Sequence, residues 1–104
     1  MVEVNHVVCW KLKENVADKD RVKADIREGL ERLFGVVSGL VGMSVYTDGL
    51  PGSTADVMLQ MVFESTEALK EYLVHPAHVE FANTKVHPFI QTRTCFDYMN
   101  DYGD

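Results

Sequence analysis

The hydrophobic period of the chain changes once within its first thirty-four residues, and this change limits the fold more than any other feature. From Val2 to Leu12 the even positions Val2, Val4, His6, Val8, Trp10 and Leu12 alternate with Glu3, Asn5, Val7, Cys9 and Lys11, which is the period of two of a strand. From Ala17 to Phe34, Val22, Ile26, Leu30, Leu33 and Phe34 recur at helical spacing, while Asp18, Arg21, Asp25, Glu28 and Arg32 are among the charges on the other face. Asp18 is placed to cap this helix and Gly35 to stop it. Gly29 lies inside it, where glycine costs about 1 kcal/mol relative to alanine. A strand that runs into an amphipathic helix needs further strands for the helix to pack on.

Those strands follow. Leu40 to Asp48 is short and rich in strand-forming residues, and it ends in the turn-forming run Gly49-Leu50-Pro51-Gly52-Ser53. Asp56 to Phe63 alternates again, with Val57, Leu59, Met61 and Phe63 on one side and Met58, Gln60 and Val62 on the other. Ser65 is an N-cap for a helix carrying Ala68, Leu69, Tyr72 and Leu73, which must end at His75 because the residue before Pro76 disfavours helical geometry. A second short helix is expected from Ala77 to about Val86, with Val79, Phe81 and Ala82 facing inward. Gln91 to Met99 reads as the last strand, and Asn100 to Asp104 as a polar, frayed tail.

The order β-α-β-β-α-β without repeats is the split βαβ, or ferredoxin-like, α+β arrangement: one four-stranded sheet with helices on one face. At 104 residues the chain is one domain, 1–104, and its 46% hydrophobic content is enough to build a core without disulfides or a metal. The other sheet face then poses a problem, because Val7, Cys9, Met58, Val62 and Cys95 are all assigned to it. An apolar face of that size is an association surface, so a homodimer stacked sheet on sheet is expected, with Cys9 and Cys95 lying across from each other on the dimer side.

Charge removes several partner classes. Ten Lys and Arg against sixteen Asp and Glu give a net charge of -6, which repels nucleic-acid backbones and anionic lipid. The opening residues interrupt any signal-peptide core with Glu3, Asn5 and His6, no apolar run approaches a membrane span, and two cysteines are too few for a secreted disulfide framework. The expectation is a cytoplasmic protein with reduced thiols, no bound cofactor and a small-molecule ligand.

Polar chemistry concentrates in Glu71-Tyr72-Leu73-Val74-His75-Pro76-Ala77-His78-Val79-Glu80-Phe81. His75 and His78 have a spacing that suits zinc on one helical face, but Pro76 interrupts the helix between them and no third ligand is adjacent, so no metal site is assigned. His6 falls on the helix side of the first strand, where a buried imidazole needs partners. Tyr72 points inward from the second helix, and His78 opens the next turn. These three, with His75 and an apolar wall of Trp10, Leu12, Val57, Phe63, Phe81 and Phe89, define a candidate pocket for a partly aromatic, oxygen-bearing ligand. The plainer reading of the same residues is a core whose polar groups are tied off internally.

The Tyr72 to His78 segment resembles the YxxHPAH signature of the stress-responsive α/β-barrel, or Dabb, family. His6-Val7-Val8, Phe63-Glu64-Ser65 and Phe96-Asp97-Tyr98 agree with it in order along nearly the whole chain. The resemblance implies a dimeric α+β barrel of ferredoxin-like subunits. Among its members are plant polyketide cyclases related to olivetolic acid cyclase, whose Tyr/His pair falls on Tyr72 and His78 and whose strand-one histidine falls on His6. That likeness implies an aldol closure in which His78 removes a proton α to a carbonyl while Tyr72 holds the base or the developing oxyanion. A further pocket histidine of those cyclases falls at Val57, where this chain has no titratable group. Three readings follow: a non-catalytic ligand-binding dimer, a cyclase or lyase using His78 and Tyr72, and a monooxygenase of the kind that shares the barrel.

Overall fold

The helices and strands are built from local signals that can be checked one by one. In the computed structural model, which describes residues 2–101, strand β1 spans Val2–Leu12 and helix α1 spans Lys19–Leu33. Asp18 caps α1 by accepting the Arg21 backbone N–H at 3.0 Å. Just past its end, Gly35 takes φ 94°, left-handed geometry that glycine adopts without strain. Strands β2 (Leu40–Tyr46) and β3 (Val57–Phe63) follow. Helix α2 (Thr66–Val74) starts where Ser65 accepts the Ala68 N–H at 3.0 Å. His75 ends it in extended geometry, and its Nδ1 accepts the Ala77 N–H at 3.1 Å to begin α3 (Pro76–Phe81).

Beyond α3 the chain widens into a π-helical turn over Ala82–Val86, closed by the His87 N–H donating to the Ala82 carbonyl at 2.8 Å. One helix was expected across this whole region. Val79, assigned inward, is exposed, and Val86 takes its place in the core. Strand β4 (Ile90–Asp101) completes the sheet. Asn100 and Asp101 therefore belong to a strand and not to a frayed tail, while residues 102–104 lie outside the described residues.

All strand pairs are antiparallel in the order β2-β3-β1-β4, so the fold is ferredoxin-like α+β. The core lies between the sheet and the helices. It joins Val4, Val8, Trp10 and Leu12 of β1 to the alternate residues Val57, Leu59, Met61 and Phe63 of β3, under the α1 stripe of Val22, Ile26, Leu30 and Leu33. Ala68, Leu69 and Tyr72 bring α2 onto the same layer. The helices pack over β1, β2 and β3, while most residues of β4 are exposed.

The opposite sheet face carries Asn5, Val7 and Cys9 of β1, Met58, Gln60 and Val62 of β3, and Phe96 and Tyr98 of β4. Tyr46, Met58 and Phe96 are exposed there, and the Phe96 and Tyr98 rings stack with centroids 5.9 Å apart. Asn5 is buried on this face. Its side-chain oxygen accepts from Gln60 Nε2 at 3.2 Å, while its Nδ2 has no partner.

The register corrects the cysteine geometry. Cys95 pairs with Val8, and Cys9 pairs with Thr94. A shift of one residue moves a side chain through the sheet, so Cys95 lies on the helix side with His6 and Cys9 on the open side. The two thiols cannot face each other, and both are free.

Candidate functional site

Strand β1 places His6, Val8 and Trp10 on one face at successive alternate positions, and these three form the floor of a cavity of about 280 Å³. Leu59, opposite Val8 on β3, extends the floor. Tyr72 and Leu73 of α2, and His78, Val79 and Phe81 of α3, form the walls. The π turn contributes Ala82, Asn83 and Val86, with His87 and Arg93 at the margin. A π turn widens the helix by one residue per turn, so here it shapes the cavity wall. The volume suits a ligand of one ring with a short substituent.

The residues proposed for the pocket divide into two groups. His6, Trp10, Tyr72, His78 and Phe81 line the cavity together. Leu12, Val57 and Phe63 share its sheet face but are fully buried in the core and do not line it, Val57 even though it lies directly opposite Trp10. Phe63 still matters to the site, because its ring packs 5.3 Å from that of Tyr72 and fixes the tyrosine from behind. His75 is spent on starting α3 and does not line the cavity. Phe89 borders a different cleft, beside Val16 and Val22.

Tyr72 is the centre of the polar wall. Its ring meets His78 at 4.2 Å and His6 at 6.1 Å, the latter edge-on. Burial pushes the phenol well above its ordinary pKa, against a weaker downward pull from Arg93, so Tyr72 is a neutral donor at any physiological pH. Among the described residues no acceptor takes its hydroxyl proton. The Trp10 indole N–H, by contrast, is fully buried and has no acceptor.

His78 is held differently. Its Nδ1 lies 3.3 Å from the Leu73 carbonyl, which can only accept, so Nδ1 carries the proton and Nε2 the lone pair. Burial lowers its pKa, and the neighbouring His6, Arg93 and His87 lower it further, against an upward effect of the Leu73 bond. The ring is therefore neutral at pH 7 and able to accept a proton at Nε2.

His6, 3% exposed, turns its Nδ1 toward β4, where Asp97 Oδ1 lies 2.5 Å away. Cys95 Sγ is 3.7 Å from the same nitrogen and 3.5 Å from the same oxygen. Arg93, Cys95 and Asp97 line up on the helix side of β4 opposite Trp10, Val8 and His6. None of the three stands in the pocket assigned from sequence. Only the pairing of β4 with β1 reveals them, and Asp97 had a sequence signal solely in its Phe-Asp-Tyr context.

With this geometry in view, the model of the stress-responsive A/B barrel domain family matches residues 4–100. The chain belongs to that family. Among solved structures, a dimeric protein of unknown function with a ferredoxin-like fold from Bacteroides fragilis is 28% identical, with a TM-score of 0.83 over 92% of this chain and 94% of the other. A Dabb-family protein of Mesorhizobium loti is 18% identical, with a TM-score of 0.76 over 94% of this chain and 96% of the other. The hydroxynitrile lyase of Passiflora edulis is 17% identical, with a TM-score of 0.80 over 98% of this chain and 96% of the other. At the last two identities the likeness is one of fold. No curated protein matches the chain.

Proposed function

We propose that this protein is a homodimer that binds a small, partly aromatic, oxygen-bearing molecule in the cavity between sheet and helices. The observation that carries this reading is a largely apolar cavity lined by Trp10, whose indole N–H is buried without an acceptor, and by Tyr72, whose hydroxyl can donate to a ligand. A buried donor without a partner costs roughly 1–3 kcal/mol, and a carbonyl, phenol or carboxylate oxygen in the cavity recovers that energy. Val8, Leu59, Phe81 and Val86 supply the apolar contacts for a ring.

The homodimer rests on the open sheet face. Tyr46, Met58 and Phe96 are exposed on a face that also carries Val7 and Val62, and the buried Asn5 Nδ2 lacks an acceptor that a second sheet can provide. The Bacteroides structure is described as dimeric, in keeping with this reading. Light scattering at micromolar concentration should give twice the mass of 11.8 kDa. A single-chain mass refutes the dimer.

Ligand binding is tested by thermal shift with phenolic acids and aromatic polyketides. Saturation at 100 times Kd stabilises by about 2.7 kcal/mol. Tyr72→Phe should reduce the shift without loss of fold, and an unchanged shift would remove Tyr72 from the site.

A second reading, a lyase or cyclase, is favoured by one observation: His78 is neutral, with its Nε2 lone pair free, beside a phenol. In that chemistry His78 takes a proton α to a carbonyl and Tyr72 donates to the resulting enolate oxygen. Deuterium exchange at the α carbon of a bound 1,3-diketone, lost in His78→Ala, supports it; exchange at the uncatalysed rate with wild type ends it. A cytoplasmic setting suits two free thiols on opposite sheet faces. No feature of the cavity favours the monooxygenase reading.

A further inference from the structure

We propose that His6, Cys95 and Asp97 form a binding site for a divalent transition metal, with zinc as the fitting ion, on the helix side of the β1–β4 pair. The inference does not depend on the cavity's ligand. Its basis is the strand register. His6 lies directly opposite Asp97, and Cys95 is two residues before Asp97 on β4, so all three side chains leave the same sheet face. Two hydrogen-bonded strands thus fix the three Cα positions before any ion arrives.

The donor atoms lie within 4.8 Å of one another. Ordinary zinc bond lengths to sulfur, imidazole nitrogen and carboxylate oxygen in a tetrahedron require ligand atoms about 3.4–3.6 Å apart. The Cys95 Sγ separations of 3.7 Å from His6 Nδ1 and 3.5 Å from Asp97 Oδ1 meet this requirement. The third separation, 2.5 Å between His6 Nδ1 and Asp97 Oδ1, must open by about 1 Å, and Asp97 is exposed enough to swing.

Binding at Nδ1 requires the imidazole proton to sit on Nε2, and the Cys95 thiol gives up its proton to solvent as the metal–sulfur bond forms. A mixed nitrogen, sulfur and oxygen set prefers zinc or cobalt to magnesium or calcium. Three protein ligands leave a fourth position open to water or to an added ligand. Arg93, which interacts with Cys95, is positioned to hydrogen-bond the bound thiolate from outside the coordination sphere.

The site differs from the His75 and His78 pair that the sequence brings to mind, since His75 Nδ1 already accepts the Ala77 N–H. Cys9, on the opposite face, is the internal control.

The test uses the full-length protein freed of metal with a chelator and titrated with Co²⁺. One ion per chain should bind, giving the near-ultraviolet sulfur-to-cobalt charge-transfer band and the intense visible bands of tetrahedral cobalt, with Zn²⁺ displacing both. Cys95→Ser should abolish the charge-transfer band and Cys9→Ser should leave it. Asp97→Asn should weaken Zn²⁺ binding, read by calorimetry, more than tenfold. The exposed positions of Cys95 and Asp97 let these variants fold, which circular dichroism confirms. Absence of the band, its persistence in Cys95→Ser, or equal Zn²⁺ affinity in wild type and Asp97→Asn overturns the proposal.

Discussion

Replacing Gly29 with alanine should destabilise this protein, although alanine is the better helix former. Gly29 lies on α1 where the helix crosses α3, and a methyl group built there would sit less than 3.0 Å from both Cδ1 and Cε1 of Phe81. Ordinary carbon contacts are about 3.5–4.0 Å, so the ring must move. Propensity alone favours alanine by about 1 kcal/mol, while forcing a methyl into a packed site costs about 1–3 kcal/mol. Phe81 also borders the cavity and can move toward it, which keeps the cost off the top of that range. The net expectation is a loss of about 1 kcal/mol, or a fall in Tm of roughly 4–8 °C for a domain this size. Scanning calorimetry at one protein concentration measures it, because the Tm of a dimer depends on concentration. Phe81→Leu in the same background should relieve the clash, so the two substitutions together should cost at least 0.5 kcal/mol less than their sum. A Gly29→Ala protein with a higher Tm than wild type would refute the packing argument. Phe81 would then not contact α1 as described.

Two further outcomes follow from single contacts. Ser65→Ala removes the acceptor for the Ala68 N–H and should cost about 1 kcal/mol in urea denaturation, with Ser65→Thr restoring most of it. His78, lowered chiefly by burial, should titrate below the ordinary imidazole value of about 6.5 when followed by NMR. Because its folded value is the lower one, the stability it contributes is complete above about pH 6.5 and is lost as pH falls through the folded value. His78→Gln should flatten that part of the stability–pH curve; a His78 midpoint at or above 6.5 contradicts the burial argument.

The sequence was most informative where a period or a cap is local. Alternation along β1 and β3, the α1 stripe and the Asp18 and Ser65 caps each depend on neighbours within four residues, and each stands where it is read except for Phe34, which the stripe includes but which caps α1 and is exposed. The last strand was harder to read. β4 is largely exposed and neither of its faces is uniformly apolar, and an irregularity near Gln91 sets which side chains face the helices. That phase decides whether Cys95 meets Cys9 or His6, and no local pattern encodes it. The site shows a similar limit. Alternation puts Leu12, Val57 and Phe63 on one face with Trp10, but does not say which of these side chains borders the cavity. That is set by where the helices and the π turn cross the strands. The three rings of His6, Tyr72 and His78 come together because each has an independent local reason to point inward.

The proposed ligand oxygen would give the buried, unpaired Trp10 indole N–H an acceptor, and because Trp10 is the single tryptophan of the chain this is testable. Trp10 gives one indole N–H signal in a proton–nitrogen NMR spectrum. Titration with phenolic acids and aromatic 1,3-diketones should shift that signal in a saturable manner as the N–H gains an acceptor, and Tyr72→Phe should weaken the response. An indole signal that stays fixed up to millimolar concentrations of every compound, in a folded protein, contradicts the claim that this cavity is the binding site.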